Sequence, residues 1–247
     1  VYINMAKVFV TRKLPQVVLD RLSNAKQVSE VRVHDVRRVI ERPQLLKNVE
    51  WCDCLLSQLT DKIDQEVLEK NPALKIVANY AVGYNNIDVK TASKLKIPVT
   101  NTPGVLDDTT ADLTFGLLLA TARRIVEADE FMRSGKYTET NWDPLLMTGH
   151  DIHHKTLGIV GLGRIGQAVA RRAKGFDMKI VYTSSNGKEK AEAKDIGAEL
   201  VTLDTLLEQS DFVSLHTPLN ENTKHLINEA RLKQMKSSAI LINASRG

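Results

Sequence analysis

Short apolar runs alternate with amphipathic stretches along most of the chain, and this alternation predicts strands that are each followed by a helix. In the first half, the pattern predicts strands at Lys7–Arg12, Val28–His34, Asp53–Gln58, Leu74–Asn79 and Val99–Asn101. With Pro15 as a first helical residue, it predicts helices at Pro15 to about Ala25, Pro43–Val49, Asp64–Lys70 and near Ile87–Leu95. Such an alternation favours an α/β fold with parallel sheets.

The same alternation resumes at Thr156 and continues to the end of the chain. Here the predicted strands are Leu157–Gly161, Lys179–Thr183, Glu199–Val201, Asp211–His216 and Ala239–Asn243. The predicted helices are Ile165–Lys174, Lys188–Ile196, Leu203–Gln209 and Asn228–Met235. Together the two halves predict two doubly wound domains, at residues 5–102 and 103–247.

One long helix is predicted between the two sets of strands, from Thr109 to Arg133. Asp108 or Thr109 can cap its first turn with a side-chain oxygen. The middle of this helix, Leu113–Ala120, is apolar nearly all round, so we expect it to be buried.

Composition and charge exclude several classes of partner. The 34 basic and 30 acidic residues are spread along the chain, which argues against a nucleic-acid-binding surface. No apolar run has the length of a membrane span and no signal peptide is recognisable, so we expect no membrane partner. Cys52 and Cys54 lack nearby metal-binding partners and are interpreted as buried thiols. We therefore expect a cytoplasmic protein without a bound metal.

A glycine motif, Gly161-x-Gly163-x-x-Gly166, lies where a predicted strand meets a predicted helix. This context is typical of dinucleotide binding, because glycine lets the backbone approach a pyrophosphate closely. The free N–H groups and the positive end of the following helix then face the phosphate charge. The motif predicts a dinucleotide cofactor.

The end of the second strand of this domain favours NADP over NAD. An acidic residue that binds the ribose 2′-hydroxyl is expected there, and this chain has none. Instead the segment offers the hydroxyls of Ser184 and Ser185, the amide of Asn186 and the nearby Lys188. The arginine that often binds a 2′-phosphate is also missing, so NAD remains the alternative, with Ser184 in place of the acid.

Several segments in the same order resemble the D-isomer-specific 2-hydroxyacid dehydrogenases, in particular the glyoxylate and hydroxypyruvate reductases. Besides the glycine motif, they are Asn79–Asp88 (NYAVGYNNID), Thr100–Gly104 (TNTPG), Thr109–Leu113 (TTADL), Arg133–Lys136 (RSGK), Trp142–Pro144 (WDP), Ser214–Leu219 (SLHTPL) and Ile242–Gly247 (INASRG). The resemblance implies a flavodoxin-like substrate domain followed by a Rossmann dinucleotide-binding domain, and NAD(P)H-dependent reduction of glyoxylate or hydroxypyruvate.

The resemblance also implies roles for individual residues. Backbone amides at Val82 and Gly83 would hold the substrate carboxylate, and Arg246 would be the catalytic arginine. Trp142 would lie on a loop that reaches a neighbouring subunit, which implies a homodimer. Besides the three motif glycines and the Ser184 segment, seven further residues would contact the cofactor: Thr110, Leu162, Arg164, Ile165, Pro218, Ala244 and Ser245.

The chain departs from the family after Arg246. The family's proton-donating histidine and its partner glutamate lie beyond this motif, as does a sixth strand, so the resemblance implies an incomplete dinucleotide domain and impaired turnover. Among the histidines present, His216 is the best alternative donor, because it lies at the carboxyl end of a predicted strand. Two other functions remain open: a non-catalytic dinucleotide-binding or sensing protein, and a phosphoglycerate-, formate- or phosphite-type dehydrogenase.

Overall fold

The computed structural model describes residues 5–246 and divides the chain into two compact units. One unit ends at Val105 and the other begins at Leu106. Each contains one five-stranded sheet in which all paired strands are parallel.

The first unit has the strand order β2-β1-β3-β4-β5. Its strands are β1 Ala6–Val10, β2 Val28–Val33, β3 Cys54–Gln58, β4 Ile76–Tyr80 and β5 Val99–Thr100. Its helices are α1 Gln16–Ser23, α2 Arg42–Trp51, α3 Gln65–Glu69 and α4 Val89–Lys94. This is the flavodoxin-like order, in which ligands bind at the carboxyl ends of the strands.

The core of the first unit lies on both faces of the sheet, because parallel sheets are covered by helices on either side. Phe9, Leu55 and Val77 are fully buried in one cluster, whereas Val8 and Val10 belong to a second cluster. The alternation of side chains along β1 therefore supplies both layers.

The second unit has the strand order β10-β9-β6-β7-β8. Its strands are β6 Thr156–Val160, β7 Lys179–Thr183, β8 Ala198–Leu200, β9 Phe212–Leu215 and β10 Ile240–Asn243. Its helices are α5 Asp107–Ala122, α6 Ile125–Arg133, α7 Tyr137–Thr140, α8 Arg164–Lys174, α9 Ala191–Ile196, α10 Leu203–Gln209 and α11 Glu229–Gln234. If the strands are renumbered 1 to 5 starting from β6, the order becomes 5-4-1-2-3. Read from the other edge of the sheet, this is the Rossmann order 3-2-1-4-5, so the predicted fold class is confirmed.

The prediction of a single helix over Thr109–Arg133 is wrong. Arg124 adopts a left-handed backbone with φ 53°, and a right-handed helix cannot continue through that conformation. Arg124 donates its backbone N–H to Thr121 O at 3.2 Å and pairs through its guanidinium with Glu127 at 2.5 Å. The chain therefore forms α5 and α6, although the charge spacing looks helical throughout.

The predicted cap and burial of this helix also need correction. Leu106 is the N-cap of α5 and provides no side-chain hydrogen bond, so neither Asp108 nor Thr109 caps it. Phe115 and Leu118 are buried, whereas Leu113 is 64% exposed. Only one face of the apolar middle is therefore packed in the core. In the first unit, Pro15 is likewise the N-cap of α1 and not its first helical residue.

Both cysteines are free thiols. Cys52 is buried in the first unit's core, and burial raises the pKa of its thiol to about 12. Cys54, at the start of β3, is only partly buried. Within the described residues, no helix is both long and apolar enough to cross a membrane, and no group of three or more His, Cys, Asp or Glu side chains could hold a metal ion.

Candidate functional site

The carboxyl ends of four neighbouring strands of the second unit carry most of the predicted site residues. β6 pairs with β7 on one side and β9 on the other, and β10 pairs with β9. The segments that follow these strands begin at Gly161, Ser184, His216 and Ala244. Because parallel strands end at the same edge, the structure brings these four segments to one edge of the sheet.

The glycine turn after β6 is shaped by two positions where a side chain would not fit. Gly161 has φ +98°, and a Cβ there would lie 3.0 Å from His216 O. A Cβ at Gly166 would lie only 2.4 Å from Gly161 O, so this glycine allows α8 to pack tightly against the turn. Both glycines are required by the local geometry.

Gly163, by contrast, faces open space. A Cβ built on it would have no heavy atom within 4 Å. Gly163 is the N-cap of the 11-residue helix α8, whose first turn receives no side-chain cap and contains no acidic residue. The uncapped N–H groups at the positive end of α8 are therefore not covered by a side chain at Gly163, and this arrangement fits a dinucleotide pyrophosphate.

The other residues of the glycine turn differ in exposure. Leu162 is 1% exposed, with its side chain in the core, so only its backbone can face a cofactor. Ile165 is partly buried against the same core. Arg164 is exposed. The side-chain contribution of this turn to a cofactor site is thus confined to Arg164 and part of Ile165.

The segment after β7 forms a closed turn. Ser184 Oγ donates to Asn186 Oδ1 at 2.7 Å, and Lys188 N donates to the same oxygen at 3.2 Å. Gly187 has φ +64°, and its N–H donates to Ser184 O at 3.1 Å. Because Asn186 Oδ1 is already occupied, the Asn186 amide group is left with its N–H donors for a ligand.

The segment after β10 is organised by Asn243, which the sequence interpretation did not single out. Asn243 Oδ1 accepts from Ser245 N at 3.0 Å and from Ser245 Oγ at 2.9 Å. Asn243 Nδ2 donates to Arg246 O at 2.9 Å. Arg246 Nε is buried and has no hydrogen-bond partner among residues 5–246. Such side-chain turns are common for asparagine, and this one keeps the Arg246 backbone at this edge, where Arg246 Nη1 donates to Ser245 O at 3.0 Å.

His216 follows β9 and is also at this edge. Its Nε2 lies 2.8 Å from Ser214 Oγ, and burial lowers its pKa to about 4. The ring is therefore neutral at neutral pH, when a histidine that donates a proton to a ketone has to be charged. The hypothesis that His216 is the proton donor is not favoured by this environment.

Two further residues predicted to contact the cofactor, Pro218 and Thr110, lie outside the glycine turn. Pro218 is exposed, and its carbonyl accepts from Thr223 Oγ1. Thr110 lies in the first turns of α5, where its carbonyl accepts from Thr114 Oγ1 at 2.8 Å. In the described part of the chain, no hydrogen bond joins Thr110 to the glycine turn.

The first unit carries its own polar cluster at the carboxyl edge of its sheet. The loop after β4 contains Val82 and Gly83, and Asn79 Nδ2 donates to Gly83 O at 2.9 Å. Asn101 Nδ2, just after β5, donates to Val82 O at 2.7 Å. The sequence interpretation quoted both asparagines but assigned them no role.

A buried carboxylate lies at the same edge of the first sheet. Asp61 is 2% exposed, and its Oδ2 accepts from Thr11 Oγ1 at 2.5 Å and from Gln58 N at 2.7 Å. Its Oδ1 lies 3.9 Å from an Arg12 guanidinium nitrogen. These contacts hold the carboxyl ends of β1 and β3 together.

Comparison with known proteins identifies the family. Residues 115–247 match the model of the D-isomer specific 2-hydroxyacid dehydrogenase NAD binding domain. The chain belongs to the D-isomer specific 2-hydroxyacid dehydrogenase family. Among the relatives of this dehydrogenase is the glyoxylate reductase of Thermococcus litoralis, which is 54% identical over 243 residues, 98% of this chain and 72% of the relative.

Solved structures agree with this assignment. A protein of Thermus thermophilus superposes with a TM-score of 0.86 and 43% identity over 98% of this chain and 74% of its own. The Aquifex aeolicus D-lactate dehydrogenase, complexed with NAD and lactic acid, has a TM-score of 0.84, 28% identity and coverages of 98% and 69%. The predictions of the family, of an oxidoreductase and of a nicotinamide dinucleotide cofactor are therefore confirmed.

Proposed function

We propose that this dehydrogenase reduces glyoxylate, or the related hydroxypyruvate, to the 2-hydroxy acid, with NADPH as the preferred cofactor. The observation that carries the proposal is the shared sheet edge of the second unit, where the open glycine turn follows β6 and the Arg246 turn follows β10, with β9 between these two strands. The 54% identity to a glyoxylate reductase supports this function over a non-catalytic sensor.

Each unit has a separate task in this proposal. The unit that begins at Leu106, predicted as residues 103–247, holds the dinucleotide, with its pyrophosphate on the turn from Gly161 to Gly166. The unit that ends at Val105, predicted as residues 5–102, holds the substrate carboxylate on the amides of Val82 and Gly83.

The chain's own residues act on the substrate by charge and orientation. When bound, the nicotinamide would supply the hydride. The new hydroxyl group also needs a proton, and a neutral His216 is not suited to donate it. The Arg246 guanidinium polarises the ketone oxygen, because its charge persists at any working pH and its planar fork can bind two oxygens. Ala244 and Ser245 line the nicotinamide side of the same turn, and Asn243 holds that turn in place.

The preference for NADPH rests on the turn after β7. A carboxylate at this place would repel a 2′-phosphate, and none is present between Ser184 and Gly187. The hydroxyl of Ser185, the amide donors of Asn186 and the charge of Lys188 are suited to bind an anion.

Cofactor oxidation by the purified chain tests the function directly. We expect NADPH to be consumed slowly on addition of glyoxylate, because burial keeps His216, the alternative proton donor, neutral. We expect the dissociation constant of NADPH, measured by fluorescence titration, to be lower than that of NADH. Equal constants for the two cofactors would refute the NADP preference. Turnover of phosphite or 3-phosphohydroxypyruvate with none of glyoxylate or hydroxypyruvate would refute the proposed substrate class.

We also propose that the chain forms a homodimer through the second unit. Trp142 is 76% exposed and Leu145 is 79% exposed in the segment after α7, and α6 exposes Val126 and Met132. In the proposed dimer, a neighbouring chain would cover these large apolar side chains. Sedimentation velocity should give twice the 27.5 kDa chain mass, and Trp142→Ser should shift the distribution towards the monomer. A wild-type mass equal to one chain at micromolar concentration would contradict the dimer.

A further inference from the structure

The loop after β4 has an unusual distribution of hydrogen bonds. Three consecutive carbonyls accept bonds from the protein: Ala81 O from Thr102 N at 2.9 Å, Val82 O from Asn101 Nδ2 at 2.7 Å, and Gly83 O from Asn79 Nδ2 at 2.9 Å. Since each carbonyl is held by a donor within the unit, the orientation of this stretch of backbone is fixed.

Each of these three carbonyls shares its peptide unit with the N–H of the following residue, which is Val82, Gly83 or Tyr84. Among residues 5–246, no acceptor is hydrogen-bonded to the backbone N–H of Val82, Gly83 or Tyr84. The peptide planes are held from their carbonyl side, so their N–H groups point away from the donors that hold them. Successive free N–H groups of this kind form a binding place for an anion.

Asn79 is itself held in one orientation. Its side chain is buried, with the residue 2% exposed, and its Oδ1 accepts from Ser57 Oγ at 3.0 Å. Asn86 packs beside it, with its amide nitrogen donating to Gln58 O and Asp61 O, both at 3.1 Å. Because Ser57 occupies the Asn79 oxygen, the Asn79 nitrogen has to face Gly83 O.

We propose that Asn79 is a positioning residue for substrate binding. By holding Gly83 O it fixes the peptide unit between Gly83 and Tyr84, so that the Tyr84 N–H faces the carboxylate of the oxo acid beside the Val82 and Gly83 amides. This inference rests on the proposed reduction of a 2-oxo acid. The Asn79 side chain acts only through the backbone, and its buried amide makes no contact that requires the cofactor.

Asn79→Asp is the sharpest variant, because it keeps the size of the side chain and removes the donor. An oxygen would then face Gly83 O, and two buried acceptors repel each other. We expect the KM for glyoxylate to rise about tenfold or more, while kcat changes less and the dissociation constant of NADPH stays within about twofold.

Asn71→Asp is the matched control. Asn71 is also a buried asparagine of the first unit, and its Nδ2 donates to Val49 O at 2.9 Å and Cys52 O at 2.7 Å. It precedes β4, at the amino end of that strand, whereas Asn79 lies near the carboxyl end. We expect Asn71→Asp to lower the thermal unfolding midpoint as much as Asn79→Asp does, with an unchanged KM.

Amide NMR separates this inference from the proposed function. Addition of oxamate, a non-reducible carboxylate analogue, should shift the Val82, Gly83 and Tyr84 amide resonances in the wild type and in Asn71→Asp. In Asn79→Asp the Tyr84 resonance should no longer respond. Such shifts without any glyoxylate turnover would refute the proposed reaction and retain the positioning role. An unchanged KM and unchanged oxamate shifts in a folded Asn79→Asp protein would overturn the role of Asn79, as would wild-type amides that do not respond to oxamate.

Discussion

Gly163→Ala is expected to weaken NADPH binding by at least about tenfold while leaving the thermal unfolding midpoint unchanged. A Cβ at residue 163 meets no heavy atom within 4 Å, so the free protein accommodates it. The same Cβ would occupy space in front of the uncapped first turn of α8, where the pyrophosphate has to approach closely. Fluorescence titration of NADPH and a thermal melt of the same sample measure the two quantities.

Two other glycines of the same helix region serve as controls. Gly166→Ala should lose both cofactor binding and stability, because its Cβ would lie 2.4 Å from the backbone oxygen of Gly161. Gly175→Ala should lose neither, since Gly175 has φ −68° and its Cβ would lie 3.4 Å from Arg172 O. Unchanged NADPH affinity in Gly163→Ala would mean that the pyrophosphate does not bind at this turn.

Arg246→Gln is expected to lower kcat/KM for glyoxylate by about 10²–10³-fold, the usual loss when one group that stabilises developing negative charge is removed. Arg246 Nε is buried without a partner among residues 5–246, and the turn that carries it is held by Asn243. Arg246 Nη1 donates to Ser245 O at 3.0 Å, and the guanidinium charge is not neutralised within the described chain. Steady-state kinetics with glyoxylate provide the measurement.

The arginine prediction has two comparison variants. Arg246→Lys should retain part of the rate, because it keeps the charge and loses the planar fork. Arg171→Gln, at an exposed position on α8, should change kcat/KM by less than about twofold. NADPH affinity should be unaltered in all three proteins. A kcat/KM for Arg246→Gln equal to that of Arg171→Gln would exclude Arg246 from the reaction.

The sequence predicted the regular elements well where apolar periodicity and burial coincide. The helix Leu203–Gln209 and the strand Lys179–Thr183 have the predicted bounds, because both lie against the core of the second unit. Periodicity failed at Arg124, where a left-handed residue divides the predicted long helix. A backbone conformation of that kind leaves no apolar signature, since α6 continues the same spacing of charged residues.

Some residues of the candidate site could likewise be predicted from the sequence, and others could not. The glycine motif was recognisable from sequence because the close approach of Gly166 to Gly161 O permits no side chain, and this constraint acts over a few residues. The roles of Asn79 and Asn101 were not recognisable, since they depend on contacts between the ends of β4 and β5 and the β4 loop. The order of strands in each sheet and the burial that lowers the His216 pKa are likewise tertiary.

The sequence by itself therefore determined the alternation of strands and helices, the glycine turn and the family resemblance. Each of these arises from short-range sterics or from the period of apolar residues. The tertiary structure alone decided which carbonyls of the loop after β4 accept hydrogen bonds, and how Asn243 fixes the Arg246 turn. Those features depend on contacts between side chains and loops at the strand ends. The spacing of residues along the chain does not predict such contacts.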